Sequence, residues 1–299
     1  MKPDITVIIL TKDEKLHIGR CLDNVGPIAK KVFVVDSGST DGTREIAASK
    51  GAGVIEHDWP GNQAAQFNWA LDNLPITTEW VLRLDADEYL TSELTEEISR
   101  ELKNVPSDVS GIVLKRRHIF LGKWMRRGIY PVKILRLFRY GAARYEQRLM
   151  DEHIIITDGG KEMEFQYDFC DHNLNNLSWF CKKHVDYAVR EAAELLDNEL
   201  GLKEKQPDGK LSEQAASKRG KKATYARQPL FWRSFAYFVY RYFAKGAFLD
   251  GKEGFLFSFI QGWWYRTLVD AKIHEIKKIC GNDPAKIRRH LADVYGVIL

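Results

Sequence analysis

The sequence lacks several features that would assign it to a well-marked class. Its 299 residues include four cysteines, at positions 21, 170, 181 and 280, and no CxxC pair. This spacing argues against a zinc site and predicts reduced thiols. No window approaches the roughly 18 consecutive apolar residues of a spanning helix, and the short apolar run near the start carries no small-residue cleavage pattern. We therefore expect a cytoplasmic protein without a secretory signal.

Glycine-rich phosphate loops are missing as well. Gly51-Ala-Gly53 has no third glycine at the required place and precedes a strand pattern instead of a helix, unlike a dinucleotide-binding fingerprint. The sequence contains no GxxxxGK[ST] loop and no RNA- or DNA-binding motif. Nucleic acid is therefore not expected as a partner.

An alternation of strand and helix patterns is present over the first hundred residues. Apolar runs rich in Val and Ile predict strands at 5–10, 32–36, 53–57 and 80–85, and helical spacing predicts helices at 15–24, 41–50 and 62–74. Such alternation predicts an α/β fold, with a sheet flanked by helices. A helix from Thr91 or Ser92 to about 103, strands at 110–117 and 133–138, and a helix at 173–200 are expected to follow.

The composition changes in the last third of the chain. Residues 203–222 are polar and predict a linker, whereas 230–249 and 255–268 are crowded with Phe, Tyr and Trp. We therefore divide the chain into an α/β domain at 1–170 and a helical C-terminal region at 171–299.

Polar groups follow three of the predicted strands. They are Thr11-Lys-Asp-Glu14, Asp36-Ser-Gly-Ser-Thr-Asp-Gly-Thr43 and Asp85-Ala-Asp-Glu88. The carboxyl ends of parallel strands meet at one edge of a sheet, where ligands bind in open α/β folds. The alternation therefore predicts that these carboxylates surround one crevice.

Asp85 and Asp87 are candidate metal ligands. Two residues apart in an extended or turn conformation, both side chains could enter the same crevice. Mg²⁺ or Mn²⁺ uses one or two carboxylates together with substrate phosphates, which suits a metal bound to a nucleotide diphosphate. The alternative is an acidic turn before the next helix, balanced by Lys or Arg. Glu88 is expected to be a supporting or helix-leading acid.

The three motifs, in this order, resemble those of family 2 glycosyltransferases of the GT-A fold. Leu10-Thr-Lys-Asp-Glu14, Val35-Asp-Ser-Gly-Ser-Thr-Asp-Gly-Thr43 and Leu84-Asp-Ala-Asp-Glu88 carry the resemblance. Among these enzymes the sequence is most similar to bacterial ones that add sugars to lipopolysaccharide core or capsule precursors. The similarity is clear over about the first 155 residues.

The resemblance implies roles for the matching positions. It implies a UDP-sugar site formed by Thr11, Glu14, Asp36, Asn68 and Asp85. Asp36 would hold the uracil, and Asp85 would reach the ribose or the metal, with Asp87 as the main metal ligand. The family usually has a basic residue near Gln66, which this sequence lacks.

An inverting transfer also requires a general base, because the acceptor hydroxyl loses its proton as it attacks. The stretch Arg148-Leu-Met-Asp-Glu-His153 resembles the acidic motif that follows the last core strands of these enzymes. Glu152 is the favoured base, with Asp151 close behind. His153 either touches metal or phosphate or is a partly buried, hydrogen-bonded side chain.

Basic residues dominate the segment 115–148, which has eleven Lys and Arg and a single acid, Glu146. An anionic saccharide or lipid diphosphate would gain from this charge. On a helical projection, Arg227, Arg233, Arg241 and Lys245 cluster opposite the aromatic residues. The pattern fits either an amphipathic helix on an anionic membrane or a helix that buries its aromatics against the core.

The sequence thus predicts an inverting, metal-dependent hexosyltransferase. Its partners would be a UDP-sugar and a lipid-linked or lipopolysaccharide-type saccharide, at the inner face of the cytoplasmic membrane. One alternative is a haloacid-dehalogenase-type phosphatase, whose Asp-x-Asp motif normally follows the first strand. The other is a non-catalytic binder of anionic glycan or membrane. Nucleotide affinity that depends on Mn²⁺ would separate the transferase from both.

Overall fold

The computed structural model describes residues 2–146, 152–202, 220 and 222–298. Eleven strands lie in these ranges: β1 (Ile5–Thr11), β2 (Lys31–Asp36), β3 (Gly53–Glu56), β4 (Trp80–Asp85), β5 (Glu88–Leu90), β6 (Val109–Phe120), β7 (Lys123–Trp124), β8 (Val132–Arg139), β9 (Ala143–Tyr145), β10 (Ile154–Ile156) and β11 (Lys161–Asp171). The main sheet has the order β3-β2-β1-β4-β8-β6-β11-β5, with β7 paired to β6, and β9 and β10 form a separate antiparallel pair.

The helices are α1 (Ile18–Val25), α2 (Thr43–Ser49), α3 (Gln63–Asn73), α4 (Ser92–Glu101), α5 (Leu177–Leu200), α6 (Trp232–Val239), α7 (Gly251–Phe257), α8 (Tyr265–Cys280) and α9 (Pro284–Tyr295). Two π-helical segments, Tyr240–Ala244 and Ser258–Trp264, continue α6 and α7. The expected α/β class, with helices around a mixed sheet and a helical, aromatic-rich C-terminal region, is confirmed.

The first half of the sheet is parallel. β1 pairs in parallel with both β2 and β4, and β2 pairs with β3. The strand order therefore reverses between β1 and β4, which is where open α/β sheets bind ligands. Beyond β4 the sheet becomes mixed, because β8 pairs antiparallel with both β4 and β6.

The core lies on both faces of the sheet because successive side chains of a strand point to opposite faces. On one face, Ile5, Val7 and Ile9 of β1 pack with the apolar stripe of α1. On the other face, Ile8 packs with residues of α3, including Phe67. The predicted cap of α4 is confirmed at Thr91, whose side chain accepts a hydrogen bond from the Leu94 amide.

A separate apolar cluster holds the C-terminal helices together. Ala188, Ala192 and Ala193 of α5 pack against apolar residues of α8 and α9. In the part of the chain that the structure describes, no helix combines the length and apolar character needed to span a bilayer. A third cluster, Phe120, Met125, Phe257 and Ile260, joins the β6–β8 region to α7. The division at residue 170 stays a prediction.

Candidate active site

The ends of β1, β2 and β4 lie side by side at the point where the strand order reverses. Thr11 is in register with Asp36, and Leu10 is in register with Asp85. The motif residues after these strands are therefore neighbours in space, although they are far apart in the sequence. This edge is the candidate active site.

Asp36 is fully buried and tightly held. Its Oδ2 accepts hydrogen bonds from Thr11 Oγ1 at 2.8 Å and from Ser39 Oγ at 2.5 Å, and its Oδ1 accepts one from the Ser39 amide at 2.7 Å. A carboxylate has about four acceptor positions, so one remains for a further donor. Thr11 therefore orients Asp36, and its contact with a nucleoside stays a prediction.

Glu14 belongs to a link between the first motif and the C-terminal region. Its carboxylate pairs with His17 Nδ1 at 2.6 Å, and His17 Nε2 accepts a hydrogen bond from the Leu174 amide at 2.9 Å. His17 is buried, which fixes both contacts. The predicted role of Glu14 in binding the nucleoside is untested, whereas its role in joining these two segments is visible.

The positive partners of Asp85 are arginines. Arg83 holds both carboxylate oxygens, with N–O distances of 2.7 and 2.6 Å, and Arg136 lies 3.4 Å from Oδ2. Both arginines are almost fully buried. The bidentate geometry is that of a strong, specific ion pair. The acidic motif is therefore balanced by its own strand and by β8, as the alternative interpretation of an acidic turn expected.

Glu88 supports the motif from beneath. Its Oε1 accepts a hydrogen bond from Arg136 Nη2 at 2.6 Å, and its Oε2 accepts one from the Asp85 amide at 2.9 Å. Burial, followed by the charge of Asp85, raises its pKa well above the ordinary value. Glu88 thus fixes the backbone that presents Asp85, in line with its expected supporting role.

Asp87 faces a different set of groups, mainly from the segment between β11 and α5. Its Oδ2 accepts a hydrogen bond from Asn173 Nδ2 at 2.9 Å, and its backbone carbonyl accepts one from the His172 amide at 3.0 Å. Burial, followed by the charges of Asp171 and Asp85, raises the pKa of Asp87 to about 6. Lys183 of α5 opposes this shift. Asp87 therefore lies in an excess of negative charge.

The surroundings of Asp87 fit a nucleotide-bound divalent cation, whereas both oxygens of Asp85 are bonded to Arg83. Within the described ranges, no group of three or more His, Cys, Asp and Glu residues could hold a metal ion by itself. Mg²⁺ bound to a nucleotide needs only one or two carboxylates, since phosphates and water complete its coordination. Burial and neighbouring acids raise the pKa of Asp87, and a cation beside it would oppose these effects by favouring the ionised carboxylate.

Asn68 fixes the short strand β9. Its Nδ2 donates to the Tyr145 carbonyl at 2.8 Å and its Oδ1 accepts from the Tyr145 amide at 2.9 Å. Both ends of the Asn68 amide are thus bonded to backbone, and its predicted contact with the donor is untested. The Tyr145 ring lies beside Arg83, whose guanidinium carbon is 5.7 Å from the ring centroid.

Glu152, the favoured base, lies close enough to Tyr145 for its charge to act on the phenol. Burial raises the pKa of Tyr145, and both Asp85 and Glu152 raise it further, which means that the two carboxylates act on one phenol. The His153 amide donates a hydrogen bond to Glu146 Oε1 at 3.1 Å. Asp151, the second candidate, and Arg148 lie outside the described residues.

Most of the basic segment is matched by acids from other elements. Eight of its members have carboxylate partners: Arg116 with Asp171, Arg117 with Asp168, Lys123 with Glu253, Arg127 with Asp250, Lys133 with Glu164, Arg136 with Glu88, Arg139 with Glu79, and Arg144 with Asp72. The expectation of a strongly cationic binding surface was therefore too simple. Charge counted along the chain does not include partners that folding brings from elsewhere.

The sequence interpretation did not identify the residues that approach Asp87 from the C-terminal region. His172, Asn173 and Lys183 come from the segment that leads into α5 and from α5 itself, and all three lie near Asp87. Lys183 Nζ is 4.6 Å from the Trp179 ring centroid and 5.6 Å from that of Tyr187. No motif marks these positions, because their approach depends on where β11 ends.

Residues 6–163 match the family model described as Glycosyl transferase family 2. This match spans more than half of the chain, and the chain belongs to that family. The family 2 GT-A glycosyltransferase expected from the motifs is therefore confirmed. The phosphatase and non-catalytic alternatives lose their support, since Asp85 and Asp87 follow the fourth strand of a glycosyltransferase domain.

Two relatives are similar over most of their length. The chain is 29% identical over 281 residues to an uncharacterised glycosyltransferase of Rickettsia typhi, covering 91% of this chain and 87% of the relative. It is 25% identical over 283 residues to the lipopolysaccharide core biosynthesis glycosyltransferase LpsC of Rhizobium meliloti, covering 92% and 93%.

Similar solved structures are more distant. One is glucosyl-3-phosphoglycerate synthase from Mycobacterium tuberculosis in complex with Mn²⁺, UDP and glucosyl-3-phosphoglycerate, at 20% identity, a TM-score of 0.32, and coverage of 38% of this chain and 43% of that one. Another is mannosyl-3-phosphoglycerate synthase from Rubrobacter xylanophilus, at 21% identity, a TM-score of 0.33, and coverage of 40% and 42%. Likenesses this partial carry no information on the substrates of this chain.

Proposed function

We propose that this glycosyltransferase moves a hexose from a UDP-sugar to a lipid-linked saccharide of the lipopolysaccharide-core or capsule type, with inversion at the anomeric carbon. One observation carries the proposal. The carboxylates of Asp36 and Asp85 end neighbouring strands where the strand order reverses, Asp87 lies two residues beyond Asp85, and the charge of Glu152 acts on Tyr145, as that of Asp85 does. Similarity to LpsC over most of both chains supports the choice of acceptor class.

The donor would lie across the ends of β1, β2 and β4. Asp36, oriented by Thr11 and Ser39, would accept the uracil N3–H at its remaining acceptor position. Asp87, together with Asp85, would hold Mg²⁺ or Mn²⁺ at the diphosphate. When bound, this cation would neutralise the charge that develops on the departing UDP.

The acceptor hydroxyl would approach from the side of Glu152. The Glu152 carboxylate would take the hydroxyl proton as the oxygen attacks the anomeric carbon and the bond to UDP breaks. Arg83 fixes the direction of the Asp85 carboxylate, and Asn68 holds the backbone of Tyr145. An inverting displacement would require Glu152 to face the sugar on the side away from the leaving group.

A lipid-linked acceptor would bring the enzyme to the inner face of the cytoplasmic membrane. We propose a peripheral association, in which the catalytic domain stays in the aqueous phase. The segment after β11 would border the diphosphate, because Asn173 and Lys183 lie close to Asp87.

The decisive experiment is a comparison of Glu152→Gln with the unmodified protein. Transfer should fall by about 10²-fold or more, the usual contribution of a general base, while Mn²⁺-dependent UDP affinity stays unchanged. Asp151→Asn is the matched control and should retain transfer. Near-normal turnover of Glu152→Gln would remove Glu152 from the mechanism. If UDP affinity proved independent of Mn²⁺ in the unmodified protein, the metal-dependent donor site would be wrong.

Donor choice is tested separately by measuring hydrolysis of UDP-glucose, UDP-galactose, UDP-N-acetylglucosamine and GDP-mannose. Asp36 as a uracil acceptor predicts that the UDP-sugars are used and that GDP-mannose is not. Equal use of GDP-mannose would contradict the proposed role of Asp36.

A further inference from the structure

In the aromatic segment after residue 230, two arginines are buried and several large aromatic side chains are exposed. The helical projection placed Arg233 and Arg241 on the outer face, but they are only 4% and 2% exposed. Trp232 and Phe243, expected on the apolar side, are 70% and 59% exposed. A helix of a soluble domain normally buries its apolar stripe and exposes its charges. The expectation of an outward basic face is therefore wrong for Arg233 and Arg241, whereas Arg227 and Lys245 of the same predicted face are exposed.

Specific partners hold the buried arginines. Arg233 Nε donates to Asp270 Oδ1 of α8 at 2.7 Å, and Asp270 Oδ2 accepts from the Phe231 amide at 2.7 Å. Arg241 Nη1 donates to Gln261 Oε1 at 3.0 Å, with its guanidinium carbon 4.6 Å from the Phe257 ring centroid. Burying a charge is costly unless it is paired and hydrogen-bonded, and Asp270 supplies the opposite charge for Arg233.

The outward face carries a continuous group of rings, which we call the aromatic surface. Its exposed members are Trp232, Phe235, Phe243, Phe248, Phe255 and Phe259. Tyr242 and Trp263, which are partly buried, connect them. Tyr242 lies 5.0, 6.2 and 5.7 Å from the Phe243, Phe248 and Phe255 rings, and Trp263 lies 5.2 and 5.8 Å from those of Phe235 and Phe259. Contiguous exposed patches of this kind mark interaction sites.

Exposed bases border the aromatic surface. Lys245 lies over the Tyr240 ring at 5.6 Å, Lys252 is exposed at the start of α7, and Arg126 is exposed on the loop whose next residue, Arg127, bonds Asp250 through its backbone amide. Two copies of this face would bring like charges together, which disfavours self-association. Aromatic rings surrounded by Lys and Arg are instead suited to the boundary between headgroups and acyl chains of an anionic bilayer.

We propose that the aromatic surface docks this enzyme on an anionic lipid membrane. The exposed rings enter the headgroup–acyl boundary, and the bordering bases contact lipid phosphates. Docking gives a physical reason for the exposed rings and for the burial of Arg233 and Arg241, because lipid surrounds the rings and the two charges lie away from it. The proposal rests on the proposed function only for the lipid-linked acceptor, which this orientation would bring to the site.

A short chain of contacts joins the aromatic surface to the candidate active site. The Phe257 ring of α7 lies 5.1 Å from the His118 ring, and His118 Nδ1 lies 3.3 Å from Asp171 Oδ2. Asp171 in turn raises the pKa of Asp87. The helix that carries part of the aromatic surface is therefore packed, through His118 and Asp171, against the carboxylates of the site.

The test is sedimentation of the full chain with vesicles of phosphatidylglycerol and phosphatidylethanolamine, compared with phosphatidylcholine alone. The unmodified protein should bind the anionic vesicles, and Trp232→Ser/Phe243→Ser should bind them about tenfold or more weakly. Ile279→Ser/Val294→Ser is the matched control, because these side chains are similarly exposed, at 62% and 59%, outside the aromatic surface. It should bind like the unmodified protein. Donor hydrolysis should be the same in all three.

The proposal is overturned if the unmodified protein does not sediment with anionic vesicles, or if the Trp232/Phe243 variant sediments as well as the control. It is also overturned if the substitutions dissociate a dimer without changing vesicle binding, since the surface would then bind a second copy. Vesicle binding without any UDP-sugar transfer would disprove the proposed function and leave the docking surface standing. Transfer of the sugar to a soluble acceptor without vesicle binding would disprove the docking surface and leave the transferase function standing.

Discussion

Replacing Arg136 by leucine should uncover the electrostatic support of the acidic motif. Arg136 on β8 is buried and bonds Glu88 at 2.6 Å, with Asp85 at 3.4 Å. Leucine fills much of the same space but leaves the buried Glu88 without this partner. Removing one member of a buried ion pair typically costs about 3–5 kcal/mol of the free energy of unfolding. We expect that loss at pH 8.

The loss should depend on pH. The pKa of Glu88 in the fold already lies well above 4.5, its ordinary value, mainly because of burial. The folded state therefore binds a proton that the unfolded state releases, and stability falls as the pH rises through that window. Without Arg136 the folded-state pKa of Glu88 rises further. The variant should regain about 1.4 kcal/mol per pH unit as the pH falls toward 5.

Urea unfolding between pH 5 and pH 8 measures both effects. The double variant Arg136→Leu/Glu88→Gln should recover most of the lost stability at pH 8, because no unpaired buried charge remains. A destabilisation that is equal at pH 5 and pH 8, or a double variant no more stable than the single one, would refute the electrostatic explanation and point to packing alone.

Three further expectations concern the donor side. Asp87→Asn should remove the Mn²⁺-dependent part of UDP affinity. In the unmodified protein, this part should fall about tenfold per pH unit below the Asp87 pKa of about 6, because protons compete with the metal for the carboxylate. Lys183→Met should move that pH midpoint upward, since Lys183 lowers the pKa of Asp87, and an unchanged midpoint would contradict this coupling. Thr11→Val should cost about 1–3 kcal/mol in urea unfolding by removing the hydrogen bond to buried Asp36, whereas Thr11→Ser should retain it; equal losses would contradict the assignment.

The βα half of the fold was predictable because local pattern and tertiary structure agree there. The β4 prediction, 80–85, matches the observed Trp80–Asp85, and β1 to β3 differ by a residue or so at their ends. These strands are buried and rich in Val and Ile, so that the apolar run and the strand coincide. The register that joins Thr11, Asp36 and Asp85 then follows from their positions at the strand ends.

The second half of the site was not predictable in the same way. β11 carries charged residues along much of its length, and its sequence Lys161–Asp171 lacks a clear apolar run. Its position between β6 and β5 is set by pairing with strands distant in sequence. Because β11 was missed, the approach of Asn173 and Lys183 to Asp87 could not be foreseen.

The C-terminal helices failed for another reason. A helical projection shows that Arg233 and Arg241 share a face, but not which way that face points. The usual rule sends charges to water, and it gave the wrong answer because Asp270 and Gln261 supply partners in the interior. Whether a charged face of a helix is buried or exposed thus depends on the groups that pack against it, and these come from other segments of the sequence.

The pairing of β5 with β11 has a practical consequence for exchanging parts between relatives. Leu90 pairs with Phe169 and Glu88 with Asp171, so the last residues of β11 hold the strand that follows the acidic motif. A chimera joined at residue 170 would separate these strands from the Asn173 contact to Asp87. A chimera meant to change acceptor choice while keeping the donor site active should therefore begin beyond α5. It then keeps both the β5–β11 pairing and the Asn173–Asp87 hydrogen bond.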